Sequence, residues 1–408
     1  MTTTPLAHLK VVECATFVAG PSCGMNLAQL GAEVTRVDLP GGGSDHLRWP
    51  LAGSGASLYW ANLNKGKRSV LLDYRTPEGR ELLLALSTRP GPGAGILVDN
   101  LVGRHRVTHA DLTARRPDAI SMHVLGFPDG RPAVDYTVNA AVGVPSMTGP
   151  VSSHEPVNHV LPAWDLLTGS AAALGVLAAV NRREQTGEGS RIDLALADVA
   201  LSAVGAVGWL AEAEQVGSRA PHGNHVFGSF GTDFATADGQ RVMVVALTEG
   251  QWRALCEVTS TTPVFSALET ALDTDLRLES NRYELRETIA SILRPWFAAR
   301  PLDELTSVLD RARVLWGPYR TMDEAAEIAR RDAGSVARPI TQPGIGEMLA
   351  TGNPLRWDEE LAAPVPAPVL GADTERVLAE DLGLSSAEIG RLHDGSVVGS
   401  SVDGDRLR

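Results

Sequence analysis

The residue best placed to do chemistry in this chain is an aspartate at the mouth of an apolar helix. Asp165 closes the run Val160-Leu161-Pro162-Ala163-Trp164 and opens the uncharged stretch 166–180. A carboxylate there loses part of its hydration, which favours the protonated acid, and faces the positive end of a helix dipole, which favours the anion. Two roles fit that setting. One is a helix N-cap, because Asp before an apolar periodic run is a common start signal; the other is a nucleophile. Just upstream, His159 is either a satisfied core histidine or a group that meets a ligand.

A second group is Asn62-Leu63-Asn64-Lys65-Gly66-Lys67-Arg68-Ser69, which sets three cations and two amides before a strand expected at 70–73. Such a loop holds phosphates by charge and amide, or it is a solvated basic turn. In a chain of net charge −13 a local basic cluster is informative. The overall acidity points away from nucleic acid, so an anionic substrate needs a locally basic pocket. Cys14, Cys23 and Cys256 are odd in number and lack a CxxC spacing, so neither a disulfide framework nor a metal site is expected. Cys14 and Cys23 read as core residues. The N-terminus lacks a charged-then-apolar signal, and no apolar stretch spans a bilayer without Gly or charge, so a soluble, cytoplasmic protein is expected.

These residues need elements to position them. Strands at 9–13 and 33–38 flank a helix at 21–30 that Gly31 ends, a β-α-β unit of the kind that builds parallel sheets. Asp38 ends the second strand, where a dinucleotide fold places its ribose partner. However, Gly20-Pro21-Ser22-Cys23-Gly24 lacks the G-x-G-x-x-G spacing, and Pro21 has no amide to offer a phosphate. Further strands at 95–100 and 119–125 alternate with helices at 77–88 and 110–116, then comes the Asp165 helix, then a strand at 191–196. The expected fold is α/β: a large doubly wound, Rossmann-like domain over 1–216 and a smaller α+β domain over 217–335. The smaller domain opens on a glycine-rich loop, 217–231, that contains Gly223 and Asn224. Residues 336–408 hold a proline-rich stretch, 343–368, read as an extended tether, and closing helices that return to the large domain.

Five blocks in order give the chain a resemblance to the family III CoA-transferases, a group that also holds the carnitine and formyl-CoA transferases and the α-methylacyl-CoA racemases. They are Leu9-Lys10-Val11-Val12-Glu13 with Ala19-Gly20-Pro21 and Leu27-Ala28-Gln29-Leu30-Gly31; the 64–69 segment with Leu72-Asp73; Ala163-Trp164-Asp165 with Gly169 and Gly175; Thr186-Gly187-Glu188-Gly189; and Ala367-Pro368-Val369-Leu370-Gly371 with Thr374. The resemblance implies that Asp165 is the catalytic aspartate, which carries CoA as an aspartyl thioester. Coenzyme A is then part of the acyl-CoA substrate, with no prosthetic group, no metal, and neither nucleic acid nor membrane as partner. It further implies a CoA site at Asp38, Asn62, Lys65, Arg68 and Asn100, with Arg104 on a phosphate, and an interlocked homodimer.

Within the family, racemases carry a histidine just before the aspartate of the segment matching Ala133-Val134-Asp135. Val134 takes no proton, which leaves His123 and His159 as alternative bases. Other stretches, among them Asp135-Tyr136-Thr137-Val138-Asn139, Met147-Thr148-Gly149-Pro150-Val151 and 157–165, are similar to the mesaconyl-CoA C1–C4 CoA transferases. That similarity implies intramolecular transfer of CoA between the two carboxyls of a branched dicarboxylate, with Asn158, His159, Gly223, Asn224 and Arg320 as candidates to hold substrate. An intermolecular CoA transferase, a racemase and a non-catalytic acyl-CoA-binding scaffold are the alternatives.

Overall fold

The computed structural model describes residues 4–153 and 155–401. The chain divides into two compact units. The first takes in the described residues up to Val142, His159–Glu212 and the described residues from Ala326 onward; the second takes in Gly143–Asn158 and Ala213–Ala325.

The first unit is built on six strands: β1 (Lys10–Cys14), β2 (Glu33–Asp38), β3 (Arg68–Leu71), β4 (Ile96–Asp99), β5 (Ile120–Leu125) and β6 (Ser190–Ala195). They pair in parallel in the order β3-β2-β1-β4-β5-β6. The helices between them are α1 (Ala19–Gln29), α2 (Leu58–Leu63), α3 (Pro77–Ser87), α4 (His109–Thr113), α5 (Asp135–Ala141) and α7 (Ala163–Thr186), with α8 (Leu196–Ala206) after β6. The short α6 (Val144–Met147) falls in the second unit. The chain is thus mixed α/β with a parallel six-stranded sheet, and its strand order reverses between β1 and β4. In such sheets ligands bind at that reversal, outside the carboxyl ends of the strands.

The sheet has two covered faces because its inner strands carry apolar residues on both of their alternating sides, with buried charges such as Glu13, Arg36 and Asp38 as exceptions. Val11, Val34, Val98 and Met122 point to the side where α1 and α7 pack through Cys23, Leu27, Ala172 and Val176. Val12, Val37, Val70 and Leu97 point to the other side, under α3 and the C-terminal helices Thr374–Leu382 and Ser386–Asp394, with Leu83, Val377, Leu378 and Ile389. The edge strand β3 is closed by the same C-terminal chain. Asp373 N–H donates to the Ser69 carbonyl (2.9 Å), and Gly399 N–H donates to the Leu71 carbonyl (3.2 Å). An edge covered in this way is protected from pairing with other chains.

By length and composition α7 is apolar enough to cross a bilayer. Its buried face (Thr168, Gly169, Ala172, Ala173, Val176, Ala179, Val180) instead lies on α1 and the sheet. Gly169 permits the contact: a Cβ there would sit 1.8 Å from Ser22 Oγ and 2.8 Å from the Ala19 carbonyl oxygen.

Two local readings are corrected. The loop expected at 62–69 starts inside a helix, Leu58–Leu63, which the Ser57 hydroxyl caps by accepting from Trp60 N–H (3.0 Å). The proposed tether 343–368 opens as a hairpin instead: β10 (Ala337–Gln342) pairs antiparallel with β11 (Gly346–Thr351) through a turn in which Gly344 takes φ +73°. Proline followed by glycine suits such a turn. The second unit pairs β7 (Phe230–Ala235), β8 (Arg241–Ala246) and β9 (Leu315–Pro318) antiparallel. Helices pack on that sheet through Trp252, Leu293 and Phe297, around Phe230, Phe234 and Val244.

Candidate active site

Asp165 lies inside the first turn of α7, two residues past its start, so it is not the N-cap. Pro162 occupies the cap position and has no side chain to accept a bond. The capping acceptor comes from another helix. Asp135, the first residue of α5 and 1% exposed, accepts from Trp164 N–H (2.7 Å) and Asp165 N–H (3.1 Å) through one carboxylate oxygen. Its other oxygen meets His159 Nε2 at 2.5 Å. The Trp164 indole N–H donates to Asn139 Oδ1 (3.0 Å), which ties the same two helices together. His159 is therefore a partner of Asp135, and it packs edge-on to Tyr136.

A borrowed cap reverses part of the electrostatic expectation. The Asp165 carboxyl is pushed up to about 7, first by burial and then by the Asp135 charge, while Arg48 opposes the rise. The helix terminus does not keep Asp165 fully ionised, because its amides are already committed to a second carboxylate. Near neutrality both the acid and the carboxylate are therefore populated.

Tyr59 and Arg48 act electrostatically on this aspartate, and Phe17 lies beside Arg48. Tyr59 feels the charges of both Arg48 and Asp165; burial pushes its hydroxyl up to about 12, so it remains a neutral donor. The Arg48 guanidinium lies over the rings of Phe17 and Tyr59. Phe17 adopts φ +68°, held by its N–H to Asp45 Oδ2 (3.0 Å). Phe17 falls in Phe17-Val18-Ala19, a stretch similar to the mesaconyl-CoA C1–C4 CoA transferases, whereas no periodicity or motif marks Arg48 and Tyr59; only the convergence of the β1–α1 loop, the 45–57 loop and α2 does.

The expected CoA residues split between the two ends of the sheet. Asn100 and Arg104 follow β4, at the reversal point. The Asn100 amide group clamps Thr16 of the β1–α1 loop in both directions, accepting at 3.1 Å and donating at 3.0 Å. Arg104 is exposed, with its Nε donating to His105 Nε2 (3.3 Å). Arg75, unnoticed in the sequence, is exposed at the carboxyl end of β3, bound to Asp73 (2.8 Å). Arg68, by contrast, begins β3 at its amino end, where it binds Glu33 (2.8 Å), Thr35 and Asp381 (2.7 Å). Lys65 is buried beside Asn62 Oδ1 (3.4 Å) and Thr351 Oγ1 (3.3 Å), and loss of hydration pulls it down to about 8. Asn62 donates back to its own helix at Leu58 (2.8 Å). Lys65, Arg68 and Asn62 therefore do not join Asn100 and Arg104.

Asp38 is also corrected. Both its oxygens accept from Arg36 (2.8 and 2.9 Å), whose guanidinium further binds Asp45 and Asn64. At 3% exposure the Asp38 carboxylate belongs to this buried network rather than to a ribose. His123 is 5% exposed and paired with Asp99 at 2.8 Å, and Val134 is half-exposed, so a second base in the racemase position has no support here.

Asn158, Gly223, Asn224 and Arg320 belong to the second unit. There Gly223 N–H donates to the Gly149 carbonyl (3.1 Å), and Asn224 is exposed. Arg320 lines an open polar pocket with Asp238, Asp303 and Glu324, a poor setting for a dianion. The three cysteines are free and buried.

Comparison with known proteins places these features in context. The family model for CoA-transferase family III matches residues 6–374. The chain is 47% identical over 400 residues to the 2-methylfumaryl-CoA isomerase of Chloroflexus aurantiacus, covering 96% of this chain and 97% of that one. It is 30% identical to the succinyl-CoA:mesaconate CoA-transferase of Haloarcula hispanica, covering 88% and 91%. Among solved structures, a CAIB/BAIF family protein from Brucella suis matches with a TM-score of 0.75 at 26% identity, covering 93% of this chain and all of that one.

Proposed function

Because the chain belongs to CoA-transferase family III, we propose that it moves CoA between the C1 and C4 carboxyls of mesaconyl-CoA, with Asp165 as the covalent carrier. The observation that carries this reading is the half-buried Asp165 carboxyl, held near 7 by burial and Asp135 within reach of the Arg48 charge. The name of the Chloroflexus relative, a 2-methylfumaryl-CoA isomerase, supports it.

In the first step an Asp165 carboxylate oxygen adds to the thioester carbonyl, the C–S bond breaks, and CoA leaves as the thiolate. The thiolate then attacks the Asp165 carbonyl carbon of the mixed anhydride; the anhydride C–O bond breaks, and the diacid is released as a dianion into the site. Its other carboxylate attacks the aspartyl thioester, and the same steps run backward. One thioester replaces another, so no external energy source is needed. Tyr59, neutral at working pH, supplies a donor to a developing oxyanion. The phosphates of CoA dock on Arg75 and Arg104, the exposed guanidiniums at the carboxyl ends of β3 and β4, with Asn100 fixing the loop between.

The enzyme works as a homodimer, interlocked as family resemblance implies, in a reducing cytoplasm that keeps its three thiols free. An apolar surface on the first unit supports association: Leu174 of α7 and Leu201 of α8 are 69% and 45% exposed.

The test supplies C1-mesaconyl-CoA without free acid and follows the products by chromatography. Appearance of the C4 isomer is expected. Its absence, with turnover restored by added succinate, would instead favour intermolecular transfer, the activity named for the Haloarcula relative.

A further inference from the structure

Arg48 is a cation near Asp165 whose guanidinium is left without a salt bridge among the described residues. Arg36, Arg75 and Arg106 each pair with a carboxylate, whereas the exposed Arg48 guanidinium has no ion pair and no hydrogen bond among the described residues. It is nonetheless held in place. Its centre lies 5.5 Å from the Phe17 ring centroid and 5.4 Å from that of Tyr59. Its backbone is pinned from both sides: Arg48 N–H donates to the Asp45 carbonyl (3.1 Å), and the Ser57 hydroxyl donates to the Arg48 carbonyl (2.5 Å). The Phe17 backbone is fixed in turn by Asp45, itself bound by the buried Arg36 at 3.1 Å. Aromatic faces position a guanidinium while leaving its N–H edge open, and that edge matches a carboxylate in two-point geometry.

We propose that Arg48, framed by Phe17 and Tyr59, is the binding site for the free carboxylate of a dicarboxylic acyl-CoA. This rests on the reading of Asp165 as the CoA carrier. The substrate then presents its thioester carbon to Asp165 and its other end to Arg48. Once CoA has passed to Asp165, the diacid is a dianion that must turn end for end. The two carboxylates exchange places, and the same guanidinium receives whichever is not reacting. Arg48 thus selects diacids over monoacids and retains the freed diacid between the two half-reactions. Its charge also acts on Asp165, so removing it alters the nucleophile for every substrate; only a comparison between substrates isolates the carboxylate contact.

The experiment measures the rate of aspartyl-CoA formation by mass spectrometry with two thioesters. These are C1-mesaconyl-CoA and tigloyl-CoA, in which a methyl group stands where mesaconyl has its distal carboxylate. In Arg48→Gln the preference for mesaconyl over tigloyl should fall about 30-fold or more, the scale of a lost charge-assisted pair. Arg48→Lys, which keeps the charge but not the fork, should recover part of that preference. Equal losses on the two thioesters, or a preference within about threefold of the parent, overturn the proposal. A parent enzyme that forms the adduct without making the C4 isomer overturns the intramolecular function alone. The mesaconyl-to-tigloyl ratio still decides Arg48.

Discussion

Two carboxylates share the start of one helix, and their division of labour governs the residue scale. Asp135 spends its oxygens on the Trp164 and Asp165 amides and on His159, while Asp165 is left with burial and a neighbouring negative charge. Only the anion attacks, so the rate constant kcat/KM should rise with pH to a plateau above about 7. Asp135→Asn removes the charge but keeps one accepting oxygen, so the rising limb should move to lower pH, at a cost of about 1 kcal/mol in helix capping. A limb that stays in place would show that Asp135 does not tune the nucleophile. The groups facing Asp165 through this range are Asp135, Arg48 and Tyr59. Asp165→Ala should lower turnover by at least about 10³-fold and abolish the covalent adduct. Linkage fixes the sign of a stability effect. A carboxyl raised in the folded state stabilises below its unfolded value of 3.8, and that contribution is lost as pH rises through about 7. Asp165→Asn should therefore gain stability over the parent progressively between those two pH values and level off above. The gain is about 1.4 kcal/mol for each pH unit crossed, a few kcal/mol in all. Urea unfolding at several pH values reads it.

At the element scale the decisive contact is α1 against α7. It brings the β1–α1 loop, with Phe17, to the same end of the sheet as Asp165, and it depends on a residue without a side chain. Gly169→Ala puts a Cβ against Ser22 and the Ala19 carbonyl, and backbone cannot yield as a flexible side chain can. The expected cost is about 1–3 kcal/mol from overpacking, seen as a lowered thermal midpoint, with reduced activity because Phe17 and Asp165 shift relative to each other. Unchanged stability would mean that the helices separate freely and do not set the site. The basic segment 64–69 shows the converse: its Lys67 and Arg68 tie the elements together, to Glu13 (2.8 Å) and to Glu33 and Asp381.

For the whole molecule, the exposed Leu174 and Leu201 predict a dimer, and light scattering after gel filtration should give twice 43.2 kDa. Leu174→Glu with Leu201→Glu should give monomers. If the subunits are interlocked, mixed tagged and untagged dimers should form no heterodimer without denaturation. The strands and their alternation were legible in the chain, because buried parallel strands are largely apolar on both faces and Gly and Pro punctuate them. The setting of Asp165 was legible as well, since an acid between apolar runs is conspicuous, and five blocks in order carried the family. What the chain could not reveal is which partner each charge meets. Asp38 and Arg68 look like ligands for CoA until the sheet gives one to Arg36 and the other to Glu33. Arg48 and Asp135 look ordinary until folding sets the first beside two aromatic rings with no ion pair among the described residues, and the second under the Trp164 and Asp165 amides. Periodicity is a local property, written along the chain by the geometry of helix and strand. Electrostatic partnership depends on distances between segments far apart in sequence, and only the tertiary structure decides those.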